Sequence, residues 1–299
     1  MRIGIDLGGT KIEVVALDDA DHEIVRRRQP TPAGDYAGTV RTVVALVEAV
    51  EREIDRRCPV GIGIPGTISP ATGLVKNANS TWLNGRPLDR DLEAALGRPV
   101  RTANDANCFA LSEATDGAAA GASVAFGVIL GTGVGGGIAI GGRPHEGLNR
   151  IAGEWGHNPL PGEPDEAAPQ CWCGRQGCIE AYLSGPAFAR DHRAATGTSL
   201  TPAEIVEAAP SNAAAAASLA RFEVRLARAL ATVVNLLDPD IVVLGGGLSN
   251  IERLYETVPR LWRKAIFSDE VRTRLVPAVH GDSSGVRGAA RLWPIEPQR

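Results

Sequence analysis

RIGIDLGGTKIEVVAL, residues 2–17, contains two apolar runs rich in Ile and Val on either side of a glycine turn. Such runs predict strands, and so short a connection predicts a hairpin rather than a strand–helix unit. The same plan returns in VAFGVILGTGVGGGIAI, residues 124–140, where a strand ends in a glycine run and a second strand is expected over 138–140. A repeated strand–glycine turn–strand unit predicts a duplicated α/β architecture.

The remaining pattern predicts helices and further strands around these two units. Apolar residues at spacings of three and four indicate helices, and short Val- and Ile-rich runs indicate strands. Helices are predicted over 37–57, 88–96, 105–115 and 212–237, and strands over 60–64, 99–103 and 241–244. At 299 residues the chain is long enough for two domains. We expect them to span 1–117 and 118–283, divided near the small-residue stretch 117–123.

Composition restricts the class of protein and its partners. The chain is 44% hydrophobic and 22% charged, with a net charge of −4, as in globular proteins. Arginines are scattered among acids, so neither nucleic acid nor an anionic membrane is an expected partner. The first residues lack a signal-peptide pattern and no run approaches the length of a membrane helix, so we expect a cytoplasmic protein.

The glycine turns are candidate phosphate sites. Glycine has no Cβ, so backbone N–H groups can approach an anion closely. GGTK at 8–11 adds a hydroxyl and one of only three lysines, and Asp6 before it offers an oxygen ligand for Mg²⁺. A third cluster, Gly245–Gly247, also follows an apolar strand. Any one cluster alone is equally compatible with a plain hairpin turn.

The spacing G-x-G-x-x-G at Gly131, Gly133 and Gly136 does not indicate a dinucleotide fold. That motif must open a helix, whereas here it leads into a strand.

Three cysteines and a histidine form a candidate metal site. His157 is followed by CWCGRQGC at 171–178, which contains Cys171, Cys173 and Cys178. A Cys₃His set suits tetrahedral Zn²⁺, and four protein ligands indicate a structural rather than a catalytic metal. The alternative is that these are free cysteines in a loop. Five cysteines, an odd number, fit a reducing compartment better than a disulfide framework.

Carboxylates and amides near these motifs suit a polyol. Asp105 follows Asn104 at a strand-to-helix junction, where it could act as a general base or, equally, cap the helix. Glu154 and Glu180 flank the proposed metal ligands and can accept hydrogen bonds from hydroxyl groups. Four further side chains form a polar loop, which suits sugars but also any exposed turn: Asn77, Asn79, Trp82 and Asn84.

Together these motifs resemble the ROK family, which comprises bacterial sugar kinases and related repressors within the actin/hexokinase/Hsp70 superfamily. The resemblance covers nearly the whole chain. The matching stretches are IDLGGTK (5–11), GIPGTISPATG (63–73), NDANC (104–108), GTGVGGG (131–137), GEWGH (153–157), CWCGRQGCIE (171–180) and VLGGG (243–247). Within the family, KNANSTWLNG (76–85) and HGDSSGVRGAA (280–290) most resemble the manno(fructo)kinases. The implied fold is the two-domain, actin-like and ribonuclease H-like ATPase fold, with a last helix over about 284–293, within the segment 284–299, returning to the N-terminal domain.

The resemblance also implies roles for individual residues. Asp105 matches the catalytic base, and the expected sugar contacts are Asn79, Asn104, Asp105, Glu154, His157 and Glu180. The expected zinc ligands are His157, Cys171, Cys173 and Cys178. The expected ATP and Mg²⁺ contacts are Gly4, Asp6, Gly8, Gly9, Thr10, Lys11, Gly131, Thr132, Gly133, Val134, Gly135, Gly245, Gly246 and Gly247. Relatives also suggest a homodimer.

The function expected on this basis is phosphorylation of a free hexose at its 6-hydroxyl by ATP, with fructose and then mannose as the foremost substrates. A kinase for glucose or an N-acetylhexosamine is the nearest alternative. A sugar-responsive repressor of the same family is disfavoured, since the first predicted strand begins at residue 2. An actin- or Hsp70-like ATPase would leave the Cys₃His cluster without a role.

Overall fold

The computed structural model describes residues 1–162, 168–281 and 284–294. Within these residues the chain forms two mixed five-stranded sheets and a two-stranded ribbon. The end of the predicted returning segment, 295–299, lies outside the described residues, as do two residues of the 280–290 stretch.

The first sheet has the strand order β3-β2-β1-β4-β7. Its strands are β1 (Arg2–Leu7), β2 (Lys11–Leu17), β3 (Glu23–Pro30), β4 (Val60–Ile64) and β7 (Val100–Asn104). Strands β1, β2 and β3 are antiparallel neighbours, whereas β4 runs parallel to β1 and β7 runs parallel to β4. The ribbon consists of β5 (Thr67–Ile68) and β6 (Val75–Lys76). The antiparallel pairing of β1 with β2 confirms the predicted first hairpin.

The second sheet repeats this topology with the order β10-β9-β8-β11-β12. Its strands are β8 (Val124–Leu130), β9 (Val134–Ile140), β10 (Arg143–Pro144), β11 (Ile241–Gly245) and β12 (Arg274–Pro277). Again a hairpin pairs antiparallel while the later strands pair parallel. The duplicated strand plan expected from the two glycine units is present.

Nine helices in the described residues surround the sheets. They are α1 (Tyr36–Ile54), α2 (Leu88–Leu96), α3 (Asp105–Asp116), α4 (Glu180–Leu183), α5 (Gly185–Thr196), α6 (Pro202–Ala208), α7 (Ala213–Leu237), α8 (Leu254–Trp262) and α9 (Ser284–Ala290). Helix α1 buries Val43, Val47 and Val50, and its N-terminus is capped by Asp35, which accepts from the Gly38 amide. It stops three residues before its predicted end because Asp55 adopts a left-handed conformation.

Helix α9 packs on the first sheet and on α3 at points where glycine removes the Cβ. A Cβ at Gly4 of β1 would lie 2.1 Å from the Val286 carbonyl oxygen, and one at Gly61 of β4 would lie 1.9 Å from that of Ala289. Gly288 approaches the Cys108 carbonyl of α3 equally closely. The last helix therefore returns to the sheet formed by the first residues of the chain.

The structure corrects the predicted start of the strand that follows the second glycine turn. Strand β9 begins at Val134 rather than at Ile138, so most of GTGVGGG is strand and the turn itself is only 131–133. Glycine is needed at two positions of this strand, because a Cβ at Gly136 would lie 2.5 Å from the Trp155 ring and one at Gly137 would lie 2.1 Å from the Ala106 carbonyl oxygen.

None of the helices in the described part of the chain is long and apolar enough to cross a membrane. The proposed domain division near residue 118 stays a prediction.

Candidate active site

Asp105 lies where β7 ends and α3 begins. Asn104 is the helix cap, and its side-chain oxygen accepts from the Ala106 amide at 2.9 Å. The Asp105 carboxylate accepts from the same amide at 2.8 Å. The side-chain NH₂ group of Asn104 donates to the Gly66 carbonyl at 3.2 Å, which ties the junction to the loop after β4. Asn104 therefore does the capping, and Asp105 is fixed beside it.

A small polar cavity of about 140 Å³ opens at this junction. It is lined by every predicted sugar contact together with parts of two glycine-rich segments. The lining residues are Pro65, Gly66, Asn77, Asn79, Asn104, Asp105, Ile129, Gly131, Thr132, Gly133, Val134, Gly135, Gly136, Glu154, His157, Trp172 and Glu180. The fold thus brings together residues as far apart in the chain as Pro65 and Glu180.

Two carboxyl groups of this cavity, and Asp6 outside its lining, are harder to ionise than usual. Burial, followed by the negative charges of Asp105 and Glu13, raises the pKa of Asp6 to about 7. Burial also raises the pKa of Asp105, against the opposing hydrogen bonds from Ala106 and Asn104. The pKa of Glu154 is raised by burial and by the charges of Asp105 and Glu180. Such a group of carboxyls with raised pKa values is typical of a site that binds a cation or moves a proton.

The first glycine turn sits at the edge of the first sheet near the start of α9. Gly9 and Thr10 are exposed, and a Cβ at Gly9 would lie 3.2 Å from the Ser80 hydroxyl. The Lys11 ammonium lies 3.7 Å from a carboxylate oxygen of the buried Glu13, so its nearest charged partner is within the sheet. Gly4 lies against α9, and its predicted role as a contact to ATP or Mg²⁺ stays a prediction.

The second glycine turn borders two cavities. Gly131 and Thr132 line both the polar cavity and a larger one of about 1030 Å³. The Val134 amide donates to a Glu180 carboxylate oxygen at 2.8 Å, and its predicted role as a contact to the nucleotide stays a prediction. A Cβ at Gly133 would lie 2.7 Å from that oxygen, so glycine there lets the Glu180 carboxylate approach the turn in this position.

The larger cavity lies between the second glycine turn, helices α5 and α6, and the segment after β11. Its lining is mostly apolar, with a few polar groups such as Ser199, Glu204 and Asn250. Of the predicted third glycine cluster, only Gly247 lines this cavity. Gly245 and Gly246 instead permit packing: a Cβ at Gly245 would lie 2.5 Å from the Phe109 ring, and Gly246 has φ +81°.

The Cys–His cluster assembles as expected from its spacing. The nearest ligand atoms of His157, Cys171, Cys173 and Cys178 all lie within 4.8 Å of one another. The Cys171 sulfur lies 3.6 Å from Nδ1 of His157, and the Cys173 and Cys178 sulfurs are 3.7 Å apart. A tetrahedral Zn²⁺ with bonds of about 2.3 Å to sulfur and about 2.0 Å to nitrogen separates its ligands by about 3.5–3.8 Å. The donor set and its dimensions therefore fit a zinc ion.

The thiols also need a cation to ionise together. Burial raises the pKa of Cys178 to about 12 and also raises that of Cys171. The pKa of Cys173 is lowered, against the effect of burial, by hydrogen bonds from the Arg175 amide and the other two cysteines, so Cys171 and Cys178 are the thiols that resist ionisation without a counter-charge. A divalent metal removes this cost, because thiolate is the ligating form.

Trp172 was not assigned from the sequence, and Asn77 was named only as a member of the polar loop. Trp172, between two of the cysteines, donates its indole N–H to Glu180 and packs edge-on against the His157 ring, with 5.3 Å between the ring centroids. Asn77 has φ +61° and lines the cavity together with Asn79, which is the member of that loop given as an expected sugar contact. A tryptophan within a cysteine motif was the one signal available.

The other members of the polar loop hold its shape. Asn84 bonds both the amide and the carbonyl of Ala78, at 2.9 and 2.8 Å. Trp82 donates to the Thr39 hydroxyl at 3.2 Å, away from the cavity.

Comparison with known proteins identifies the family of the chain. The ROK family model matches residues 2–296. The chain belongs to the ROK family. It is 42% identical over 299 residues to an N-acetyl-D-glucosamine kinase of Photobacterium profundum, with 98% of this chain and 99% of that protein covered. An N-acetyl-D-glucosamine kinase of Vibrio cholerae is 41% identical, over the same shares of both chains.

Solved structures of ROK proteins have the same fold. A ROK hexokinase from Thermus thermophilus superposes with a TM-score of 0.85 at 32% identity, covering 97% of this chain and 96% of the other. A ROK family glucokinase from Streptomyces griseus, in complex with glucose and AMPPNP, gives 0.81 at 30% identity, covering 97% and 98%. The actin-like ATPase fold class expected from the sequence is confirmed. The finer resemblance to manno(fructo)kinases is not supported by the two relatives at 42% and 41% identity, because both are named N-acetyl-D-glucosamine kinase.

Proposed function

We propose that this protein is a hexose kinase that transfers the γ-phosphoryl group of ATP to the 6-hydroxyl of N-acetyl-D-glucosamine. Relatives that match almost its whole length at about 40% identity are named for that substrate. The Streptomyces griseus relative, at 30% identity, carries glucose and an ATP analogue. N-Acetyl-D-glucosamine therefore replaces fructose as the foremost candidate.

One observation carries the proposal: two cavities of different chemistry meet at Gly131 and Thr132. The larger, mostly apolar cavity suits a nucleoside, and the small polar one suits a sugar. Phosphates that extend from the first to the second must cross a turn where glycine leaves the backbone N–H groups accessible. This arrangement brings the terminal phosphate of a nucleotide to a sugar hydroxyl.

Asp105 is the proposed general base. It lines the polar cavity at a fixed position, and its raised pKa brings it nearer to the operating pH, where a base is most effective. Phosphoryl transfer itself asks mainly for positioning and charge stabilisation. Asp105 accepts the proton of the attacking hydroxyl and orients that oxygen.

Recognition of the remaining hydroxyls falls to the other polar side chains of the cavity: Asn79, Asn104, Glu154, His157 and Glu180. Hydrogen bonds to charged groups are the stronger ones, so the two glutamates contribute most. Asp6 is the proposed ligand of the Mg²⁺ that accompanies ATP, which supplies positive charge near the phosphates.

The proposed metal of the Cys–His cluster is a structural Zn²⁺, held by His157, Cys171, Cys173 and Cys178. All four positions around it are taken by protein, so it stabilises the loop rather than the transition state. The loop orients His157 directly and Glu180 through Trp172.

A panel of free sugars with Mg²⁺ and ATP tests the proposal. N-Acetyl-D-glucosamine should give the highest kcat/KM among N-acetyl-D-glucosamine, N-acetyl-D-mannosamine, glucose, fructose and mannose. A highest value for fructose would restore the first expectation. Sugar-independent ATP hydrolysis without phosphorylation of any sugar would favour the actin- or Hsp70-like alternative.

A further inference from the structure

Trp172 has the large aromatic ring among the described residues that line the polar cavity. It lies between Cys171 and Cys173, two of the proposed zinc ligands, and it is 55% exposed. By contrast Trp155, which packs on Gly136 of the same cavity, is only 5% exposed. A large apolar side chain that stays half-exposed in the wall of a cavity is available to pack against the ligand that fills it.

The indole ring of Trp172 is fixed by contacts that leave part of its surface open. Its N–H donates to one carboxylate oxygen of Glu180, whose other oxygen accepts from the Val134 amide at 2.8 Å. The ring meets that of His157 at an interplanar angle of 81°, with 5.3 Å between the centroids. The hydrogen bond uses one edge of the indole, and an edge-to-face contact with a single ring covers at most one face. The fold therefore presents this ring to the cavity in a defined orientation.

The polar groups of the cavity match the hydroxyls of a sugar but not the faces of its ring. Carboxylates and amides such as Asp105, Glu154 and Asn104 bind hydroxyl groups, which in a gluco-configured pyranose project outward from the rim of the ring. The two faces of that ring carry axial C–H groups instead. An aromatic face bears partial negative charge and attracts such C–H groups, and the contact also buries apolar surface. The indole supplies the complement that the polar side chains lack.

We propose that Trp172 is a specificity-determining residue, whose indole face packs on one C–H face of the bound hexose while its N–H holds Glu180 at the rim. The inference rests on the proposed function, because it requires a hexose in the polar cavity. Its consequence is discrimination between epimers. An axial hydroxyl on the packed face separates the sugar from the indole and has no hydrogen-bond partner there, which should lower kcat/KM by about tenfold.

Saturation-transfer NMR tests the contact and identifies the packed face. Irradiation of the aromatic protons in the complex with N-acetyl-D-glucosamine should saturate the axial protons of one sugar face, those on C3 and C5 or those on C2 and C4, more strongly than the other. Trp172→Gln keeps an N–H donor without a ring and should lose this asymmetry, whereas Trp172→Phe keeps a ring without the donor and should retain it. Equal saturation of both faces in the wild-type complex, or an unchanged asymmetry in Trp172→Gln, would overturn the proposal.

Kinetics with epimers test the specificity in the same variants. The epimer with an axial hydroxyl on the packed face is N-acetyl-D-allosamine if the protons on C3 and C5 are saturated, and N-acetyl-D-galactosamine if those on C2 and C4 are. The preference for N-acetyl-D-glucosamine over that epimer, as a ratio of kcat/KM values, should fall about tenfold in Trp172→Gln and persist in Trp172→Phe. Trp82→Phe is the control and should keep the ratio, since Trp82 bonds the Thr39 hydroxyl away from the cavity. A ratio that falls in Trp172→Phe but not in Trp172→Gln would assign the effect to the bond with Glu180 and overturn the proposal.

Failure of the stacking role is distinguishable from failure of the proposed function. Phosphorylation of N-acetyl-D-glucosamine without the saturation asymmetry removes the stacking role and leaves the function. If another hexose is the substrate instead, the proposed substrate fails, and an asymmetry with that hexose that is lost in Trp172→Gln still supports the stacking role. If no hexose binds, both proposals fall.

Discussion

Removing one ligand of the Cys–His cluster should weaken sugar binding far more than nucleotide binding. The change is Cys173→Ser, which replaces a thiolate by a hydroxyl that binds Zn²⁺ poorly at neutral pH. The cluster fixes Trp172, whose indole N–H donates to Glu180, and it holds His157 directly. Loss of the metal releases both contacts at the polar cavity.

The expected magnitude follows from these contacts. A hydrogen bond to a charged group contributes about 1.5–3 kcal/mol. If Glu180 loses one hydrogen bond to the sugar when Trp172 no longer fixes its carboxylate, kcat/KM for the sugar should fall by about tenfold or more. The bond from the Val134 amide to Glu180 remains, so the second glycine turn keeps its shape. The KM for ATP should change by less than about threefold.

Metal analysis and steady-state kinetics provide the assay. Wild-type protein should contain about one Zn per chain and Cys173→Ser much less. Cys58→Ser is the matched control, because Cys58 is a buried thiol in the core of the first sheet, outside the cluster. A metal-free Cys173→Ser protein with an unchanged sugar KM would refute the argument that the metal loop orients the sugar contacts.

Three further predictions concern other parts of the molecule. Asp105→Asn should retain the fold by circular dichroism yet lower kcat by about 10²-fold or more, the value of a positioned base; near-normal turnover would remove Asp105 from the mechanism. Activity that needs ionised carboxylates should be lost as pH falls through about 7, since the pKa of Asp6 is raised to about 7 and that of Asp105 is raised as well; a pH profile of kcat/KM with its acid limb near 4 would contradict this. Gly288→Ala should lower the free energy of unfolding, measured by calorimetry, by about 1–3 kcal/mol, because the Cβ would lie 1.7 Å from the Cys108 carbonyl oxygen. An increase in the free energy of unfolding, which helix propensity alone predicts, would show that α9 moves away from α3 without cost.

Local patterns predicted much of the fold because both hairpins and the long helix α7 have strong periodicity. Strand β3 was not assigned, since its run of arginines at 26–28 does not read as a strand. In the structure Arg26 and Arg28 pair with Glu13 on the neighbouring strand, so charge pairing across the sheet replaces apolar burial. The residue that stabilises the arginines of β3 therefore lies on β2, outside the segment whose pattern was read.

The site was predictable where its chemistry is local and less so where it depends on packing. The Cys₃His set follows from spacing, whereas the position of Asp105 left a general base and a helix cap equally open and only the family resemblance favoured the base. The resemblance assigned Gly4 and Gly245 to the nucleotide, and the structure adds a packing reason for glycine at both positions, because α9 and the Phe109 ring approach their backbone closely. The cavity of about 370 Å³ between α7 and the loop at 151–158 depends on a tertiary contact, which no local pattern indicates.

The central claim is that a nucleotide and a sugar occupy the two cavities that meet at Gly131 and Thr132. A crystal structure with N-acetyl-D-glucosamine and a non-hydrolysable ATP analogue measures this directly. The account predicts the terminal phosphate beside that turn and the sugar 6-hydroxyl within about 2.6–3.2 Å of the Asp105 carboxylate. A sugar bound elsewhere, or one with its 6-hydroxyl directed away from Asp105, would contradict it.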